Sequence, residues 1–276
     1  MKYFTGIFHF SKQLINKNKE DKIGTYAAHT SFFTFISLFP FMIILMTCIK
    51  YTPLTEEMLY ELINTVTPNL INDTLKSWIE EIYSDKTGVL SVSILVALWA
   101  VSKSFMGIIK SLNEIYDTKY SDNYFLVRII GMGYALIFLF TILVTMVIYV
   151  FGKSFSNWLN ETFHVTPDVL NIIVNFRLII ALGIFFVLVL VTYMFIPNRK
   201  SRIRYELPGT IFTTILWIAF SAFYSMYLNN SKSGSSIYGS VSTIVFFMIW
   251  LYFSIYILYM GAAINTLLSH NRQNKI

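Results

Sequence analysis

Six long runs of apolar residues, near 28–50, 88–111, 128–152, 171–196, 208–228 and 240–268, limit what this chain can fold into more than any other feature. A hydrocarbon core about 30 Å thick is crossed by roughly 20 residues of α-helix at 1.5 Å per residue, and each run reaches that length. No water is available there to bond the backbone, so a spanning segment must coil into a helix or pair within a closed barrel. Barrel strands alternate polar and apolar residues over segments of roughly ten, whereas these runs are continuous. The expected fold class is therefore all-α: a polytopic membrane helix bundle of about six transmembrane helices, forming one membrane domain over residues 1–276. Composition agrees with this. The chain is 55% hydrophobic and 13% charged, against roughly 25% charged in soluble domains, whose surface water must solvate.

Basic residues set the orientation, because cytoplasmic loops carry an excess of Lys and Arg. With the N-terminus inside, the cytoplasmic segments hold Lys2, Lys12, Lys17, Lys19, Lys22, Lys119, Arg128, Arg199, Lys200, Arg202, Arg204, Arg272 and Lys275. The opposite side holds Lys76, Lys86, Lys153 and Lys232, together with Glu56, Glu57, Glu61, Glu80, Glu81 and Asp85. Both termini are thus expected in the cytoplasm, with the protein multi-pass in the cytoplasmic (inner) membrane. Met1–Phe4 opens no cleavable leader, so the first span should act as an uncleaved insertion signal. The net charge of +6 is spread over loop ends, where it suits anionic lipid headgroups. No long soluble segment presents a contiguous basic surface, so a nucleic-acid partner is not expected. Cys48 is the one cysteine and cannot form an intrachain disulfide or a zinc cluster.

Two stretches outside the spans are amphipathic. Within 1–22, Phe4, Ile7, Phe8, Leu14 and Ile15 recur at helical spacing among lysines, as in a helix lying on the inner leaflet. The outer stretch 52–87 reads as two short helices broken near Pro68, either a lid or a packed connector.

Ionisable groups inside spans are costly and mark candidate sites. Lys103 lies within the second run and Arg177 within the fourth. Each either faces the bundle interior, water or a phosphate, or reaches along its stem to the nearer headgroups. His29 opens the first span, as a packing residue or a proton relay. Pro40 lies inside the first span and should kink it, as a hinge or as packing geometry. No His/Asp/Glu spacing suits a metal and no nucleophile–base pattern is present, so neither cofactor nor catalytic residue is expected and the chain is read as a non-enzyme.

Several blocks taken together resemble the YihY/BrkB family of bacterial inner-membrane proteins, formerly labelled ribonuclease BN. They are Ile23–Ala28 with Ser37–Pro40, Leu98–Lys103, Ser111–Tyr116, Pro197–Lys200, Leu207–Gly209 with Leu216–Trp217, Tyr238–Ser240, Trp250–Tyr252, and Gly261-Ala262 with Asn265. They fall in family order over nearly the whole chain. The chain departs from the pattern at Ala263, where many relatives resemble Gly-Ala-Glu-Leu-Asn. The resemblance implies a six-span inner-membrane protein, with envelope lipid handling among the proposed roles; nothing in these residues supports the ribonuclease label. Lys103, Arg177, His29 and Asn113 (within the Ser111–Tyr116 block) are the candidate substrate-binding residues. The leading expectation is a transporter or flippase-like protein for a lipid or another amphiphile in envelope biogenesis. The alternative is a non-transporting scaffold or assembly factor. Expected partners are membrane lipids, with a homo-oligomer or an envelope protein as further ones.

Overall fold

A computed structural model of the chain describes residues 2–50, 87–119, 123–150, 177–230 and 239–273, with isolated positions at Glu56, Glu57, Tyr60, Lys76 and Glu80. Among the described residues every regular element is helical: α1 (Lys2–Glu20), α2 (Ile23–Lys50), α3 (Thr87–Ile115), α4 (Tyr124–Val150), α5 (Arg177–Phe195), α6 (Ile203–Asn230) and α7 (Gly239–Gln273). The six apolar runs correspond to α2 through α7, and α1 is the amphipathic segment that precedes them. Within the described residues, Leu95–Ile115, Tyr124–Leu143, Ile203–Tyr227 and Ile244–Ser269 are long and apolar enough to cross a membrane, and Ile179–Phe195 is a shorter apolar helix. α2 continues through Pro40 as one helix. Most of the outer stretch 52–87 lies outside the described residues.

The polarity of the surface is reversed relative to a water-soluble protein. Ile215 is 63% exposed and Phe223 68%, and Phe125, Ile129 and Phe140 project outward in the same way. Thr30, Ser104, Ser111, Asn113, Thr213, Asn265 and Thr266 are buried instead. Lipid tails solvate leucine as well as another helix does, so membrane helices associate through small residues and interhelical hydrogen bonds. Such a distribution defines a membrane helix bundle.

Packing resolves into two compact units. One comprises Met1–Ile36, Lys103–Gly131 and Phe185–Ile276, the other Ser37–Ser102 and Met132–Ile184. In the second, the rings of Phe41 and Phe138 lie 6.0 Å apart, and Tyr60 donates to Glu56 at 2.6 Å.

The first unit is organised on the antiparallel pair α6–α7. Its helices touch backbone to backbone where Gly209 meets Gly261. A Cβ on Gly209 would overlap the Gly261 carbonyl oxygen, and one on Gly261 would overlap Thr213 Oγ1 and Tyr193 Oη. Away from this crossing the pair is spaced by rings, with Trp217 against Trp250 at 5.9 Å and Phe220 against Phe253 at 5.4 Å. α2 and α3 join through hydroxyls. Thr30 shares a hydrogen bond with Tyr259 at 2.8 Å, Thr34 one with Ser104 at 2.6 Å, and Thr266 donates to the Ile115 carbonyl at 3.2 Å. α1 packs on α7, where Tyr256 donates to Asn18 at 3.2 Å.

Overpacking a tight contact costs about 1–3 kcal/mol. Gly261→Ala should therefore lower the thermal midpoint of the detergent-purified protein, followed by loss of its monodisperse chromatographic peak on heating. Gly133→Ala and Gly183→Ala meet no atom within 4 Å and should leave that midpoint unchanged or slightly raised.

Candidate functional site

Two clusters of polar side chains stand out in the first unit, one gathered on a fully buried carboxylate and one exposed. The buried one forms around Glu206, in the first turn of α6, where the helix dipole favours an acid. Its side chain is 0% exposed. A carboxylate withdrawn from water must be fully bonded, and this one is. Arg199 Nη2 donates to Oε1 at 2.5 Å, joined there by the Ser201 hydroxyl. Tyr116 Oη donates to Oε2 at 2.7 Å and Asn265 Nδ2 to the same oxygen at 3.0 Å. The Arg199 guanidinium also lies 3.9 Å from the centroid of the Tyr116 ring, adding a cation–π contact to the ion pair. Burial, reinforced by the Glu206 carboxylate, holds the Tyr116 phenol well above its usual range, so it remains a donor.

Local sequence explains this geometry. Pro208 has no N–H and breaks the regular ladder early in α6. The next N–H, that of Gly209, donates to Asn265 Oδ1 at 2.6 Å, and lacking a Cβ, Gly209 lets Asn265 come that close. Asn113 belongs to the same end of the unit. Its Nδ2 donates to the Ile109 carbonyl at 2.8 Å, and its Oδ1 accepts from Thr118 at 2.7 Å and from the Asn198 N–H at 2.8 Å. It thereby ties the end of α3 to the Pro197–Lys200 turn, with both ends of its amide engaged by protein.

The exposed cluster lies on α2 and α3. Lys103 Nζ stands 4.5 Å from the centroid of the Phe33 ring, and His29 meets the same ring edge-on at 4.8 Å. Lys103 and His29 are both exposed, and no carboxylate pairs with Lys103 among the described residues. Lys103 is thus a cation on the flank of a membrane-length helix. Ile115, where α3 ends, lies roughly 18 Å further along the axis at 1.5 Å per residue.

Of the residues expected from sequence to bind substrate, the structure brings together His29 and Lys103, and it buries Asn113 against the Pro197–Lys200 turn, apart from them. Arg177 is the first residue of α5, and its side chain lies outside the described ones. Glu206, Arg199, Tyr116 and Asn265 were not singled out as site residues. The blocks Ser111–Tyr116, Pro197–Lys200, Leu207–Gly209 and Gly261-Ala262 with Asn265 did carry a signal, since they converge at this cluster. Ala263 is itself fully buried, so an acid at this position would need a buried donor.

An all-α bundle with apolar flanks and a hydroxyl-rich interior is a polytopic membrane protein. The chain matches the virulence factor BrkB family over residues 14–276 and belongs to that family. It is 29% identical to the ribonuclease-like protein YfkH of Bacillus subtilis over 96% of each chain. It is 25% identical to a UPF0761 membrane protein of Alteromonas mediterranea, over 95% of this chain and 88% of the relative, and 24% identical to one of Pseudoalteromonas atlantica over 92% and 83%. No solved structure matches the chain.

Leaving one member of a buried ion pair uncompensated costs about 3–5 kcal/mol. Arg199→Leu should accordingly lower the melting temperature in detergent far more than Tyr116→Phe, which removes one donor at about 1–3 kcal/mol. Arg199→Leu combined with Glu206→Leu should recover part of the loss, because no charge is then stranded.

Proposed function

We propose that this chain is a multi-pass carrier of the cytoplasmic membrane, with both termini in the cytoplasm, that moves a lipid or another amphiphile during envelope biogenesis and performs no covalent chemistry. The observation that carries the reading is Lys103, exposed on α3 and stacked on Phe33 beside His29. A lysine at the centre of a spanning helix costs about 2.5–3.5 kcal/mol or more. A single cation–π contact offsets about 0.5–2 kcal/mol of that. The ammonium keeps donors for a headgroup phosphate, and pairing with one relieves both the lysine and the incoming anion. Each partner lowers the barrier for the other, which is what headgroup passage through hydrocarbon requires. His29 supplies a second polar group at the same ring.

In vesicles carrying a fluorescent anionic lipid, the protein should accelerate translocation over protein-free vesicles. Lys103→Ala should slow it about tenfold, the effect of 1.4 kcal/mol on a barrier. Equal acceleration by the two proteins would remove Lys103 from the carrier role, and no acceleration by either would remove the role itself. Reporter tags on the two ends of the chain should both respond from the cytoplasm; opposite responses would refute the topology.

A further inference from the structure

We infer that α2, α3, α4 and α5 are hinged where they pass from one unit into the other, beside Pro40, Ser102, Gly133 and Gly183, so that the second unit moves against the first.

Four helices are shared between the units. α2 passes from one to the other at Ile36–Ser37, α3 at Ser102–Lys103, α4 at Gly131–Met132 and α5 at Ile184–Phe185. α6 and α7 lie wholly in the first unit. In hydrocarbon a helix finds no water to replace a lost backbone bond, so it bends where its ladder is already weak. Proline and glycine or serine steps are such places. Every passage has one. Pro40 has no N–H to give the Ile36 carbonyl, and Ile36 is the last residue of α2 in the first unit. Ser102 donates to the Trp99 carbonyl at 2.7 Å, a back-bond that competes with the ladder where α3 passes over. α4 has Gly131 and Gly133 at its passage, and α5 has Gly183.

The glycines are a second, independent observation. Glycine inside a helix is destabilising relative to alanine, and the close approach it permits is the usual reason for its presence. Gly107, Gly209 and Gly261 fit that reason, since an added Cβ would press on Thr30, the Gly261 carbonyl and Thr213 respectively. Gly133 and Gly183 do not. Both are exposed, and an added Cβ would meet nothing within 4 Å. Both also stand within two residues of a passage. Packing leaves them unexplained, whereas bending accounts for them. A second copy seated on these glycines would have no use for Ser102, which is 0% exposed.

The hinge operates whatever the ligand, so its test reads distances and not translocation. Full-length protein freed of its one cysteine by Cys48→Ser takes nitroxide labels in pairs, read by pulsed electron resonance in phosphatidylcholine vesicles. Cysteines replacing the exposed Phe140 and Phe223 report across the passages, and those replacing Phe195 and Phe223 report within the first unit. The crossing pair should show two distances and the control pair one. Gly133→Ala and Gly183→Ala should each shift the ratio of the two distances about fivefold in the same direction, the equivalent of about 1 kcal/mol in helix preference. Pro40→Ala, which returns an N–H to the Ile36 carbonyl, should shift it the same way. The alanines at 133 and 183 meet no atom, so these proteins should elute as the parent does. A single distance for the crossing pair, or a ratio that none of the variants moves, overturns the hinge. Two distances for the control pair overturn its position. A dipolar signal from Phe140→Cys labelled alone, abolished by the alanines, assigns the glycines to a contact between copies and overturns the hinge as well. A hinge that responds in a protein without translocation would remove the carrier reading alone; translocation with a rigid crossing pair would do the reverse.

Discussion

A carboxylate with no access to solvent sets the terms for one end of the first unit. Glu206 cannot stand alone in an interior where an unpaired ion costs several kcal/mol, so Arg199, Ser201, Tyr116 and Asn265 must all reach it together. These residues come from the α5–α6 turn, the end of α3 and α7. A slip of α7 along α6 by one turn would strand Asn265 and the Gly209 N–H at once. The net stabilisation from such a pair is small, because desolvation offsets most of the attraction. The penalty for any other register is large. The cluster therefore selects an arrangement more than it strengthens one.

That selection depends on two residues without side chains. Gly209 and Gly261 bring the α6 and α7 backbones close enough for Asn265 to lie across the start of α6, and bulk at either position would separate the partners of Glu206. Outward from the crossing the pair is bridged by the Thr213 hydroxyl and then by rings, Trp217 on Trp250 and Phe220 on Phe253. Elsewhere in the unit single hydroxyl contacts take over, such as Thr30 with Tyr259 and Thr34 with Ser104. Interhelical bonds of this kind average about 0.6 kcal/mol in membranes. None of them alone fixes the register, so the charged cluster governs it at that end.

The helices were legible because length and hydropathy are local properties, and hydrocarbon leaves the backbone few options. Their ends were less so: α7 runs to Gln273 and α6 begins at Ile203, beyond the apolar runs, because a helix does not stop where hydrocarbon does. Lys103 and His29 were legible as polar residues in apolar company, but Phe33, the ring that brings them together, looks like any other phenylalanine in a span. Glu206 was hidden for a different reason. It lies among Arg199, Lys200, Arg202 and Arg204, in a stretch whose charge reads as a headgroup-facing loop. Its partners Tyr116 and Asn265 are 149 residues apart, and no periodicity reports a contact at that range. Asn113 was picked out for binding from the block that contains it, yet its amide is engaged by Ile109, Thr118 and Asn198. A motif shows that a residue matters to a fold or a site without showing which.

α3 shows how one helix serves both purposes. Ser104, Gly107 and Ser111 recur every three to four residues on the buried side, facing α2 or bonding their own helix. Lys103 and Lys110 recur every seven on the exposed side. Neighbouring residues on a helix are rotated by about 100°, so Lys103 and Ser104 can differ completely in environment although adjacent in sequence. The small residues let α2 approach closely enough to bring the Phe33 ring against the Lys103 ammonium. Packing on one side thereby positions the charge on the other. The converse does not hold, because no buried group depends on the ammonium for a partner among the described contacts. Substitutions on the packed side of this helix disturb both stability and the placement of the Lys103 charge, whereas Lys103→Met removes that charge without stranding a carboxylate among the described residues.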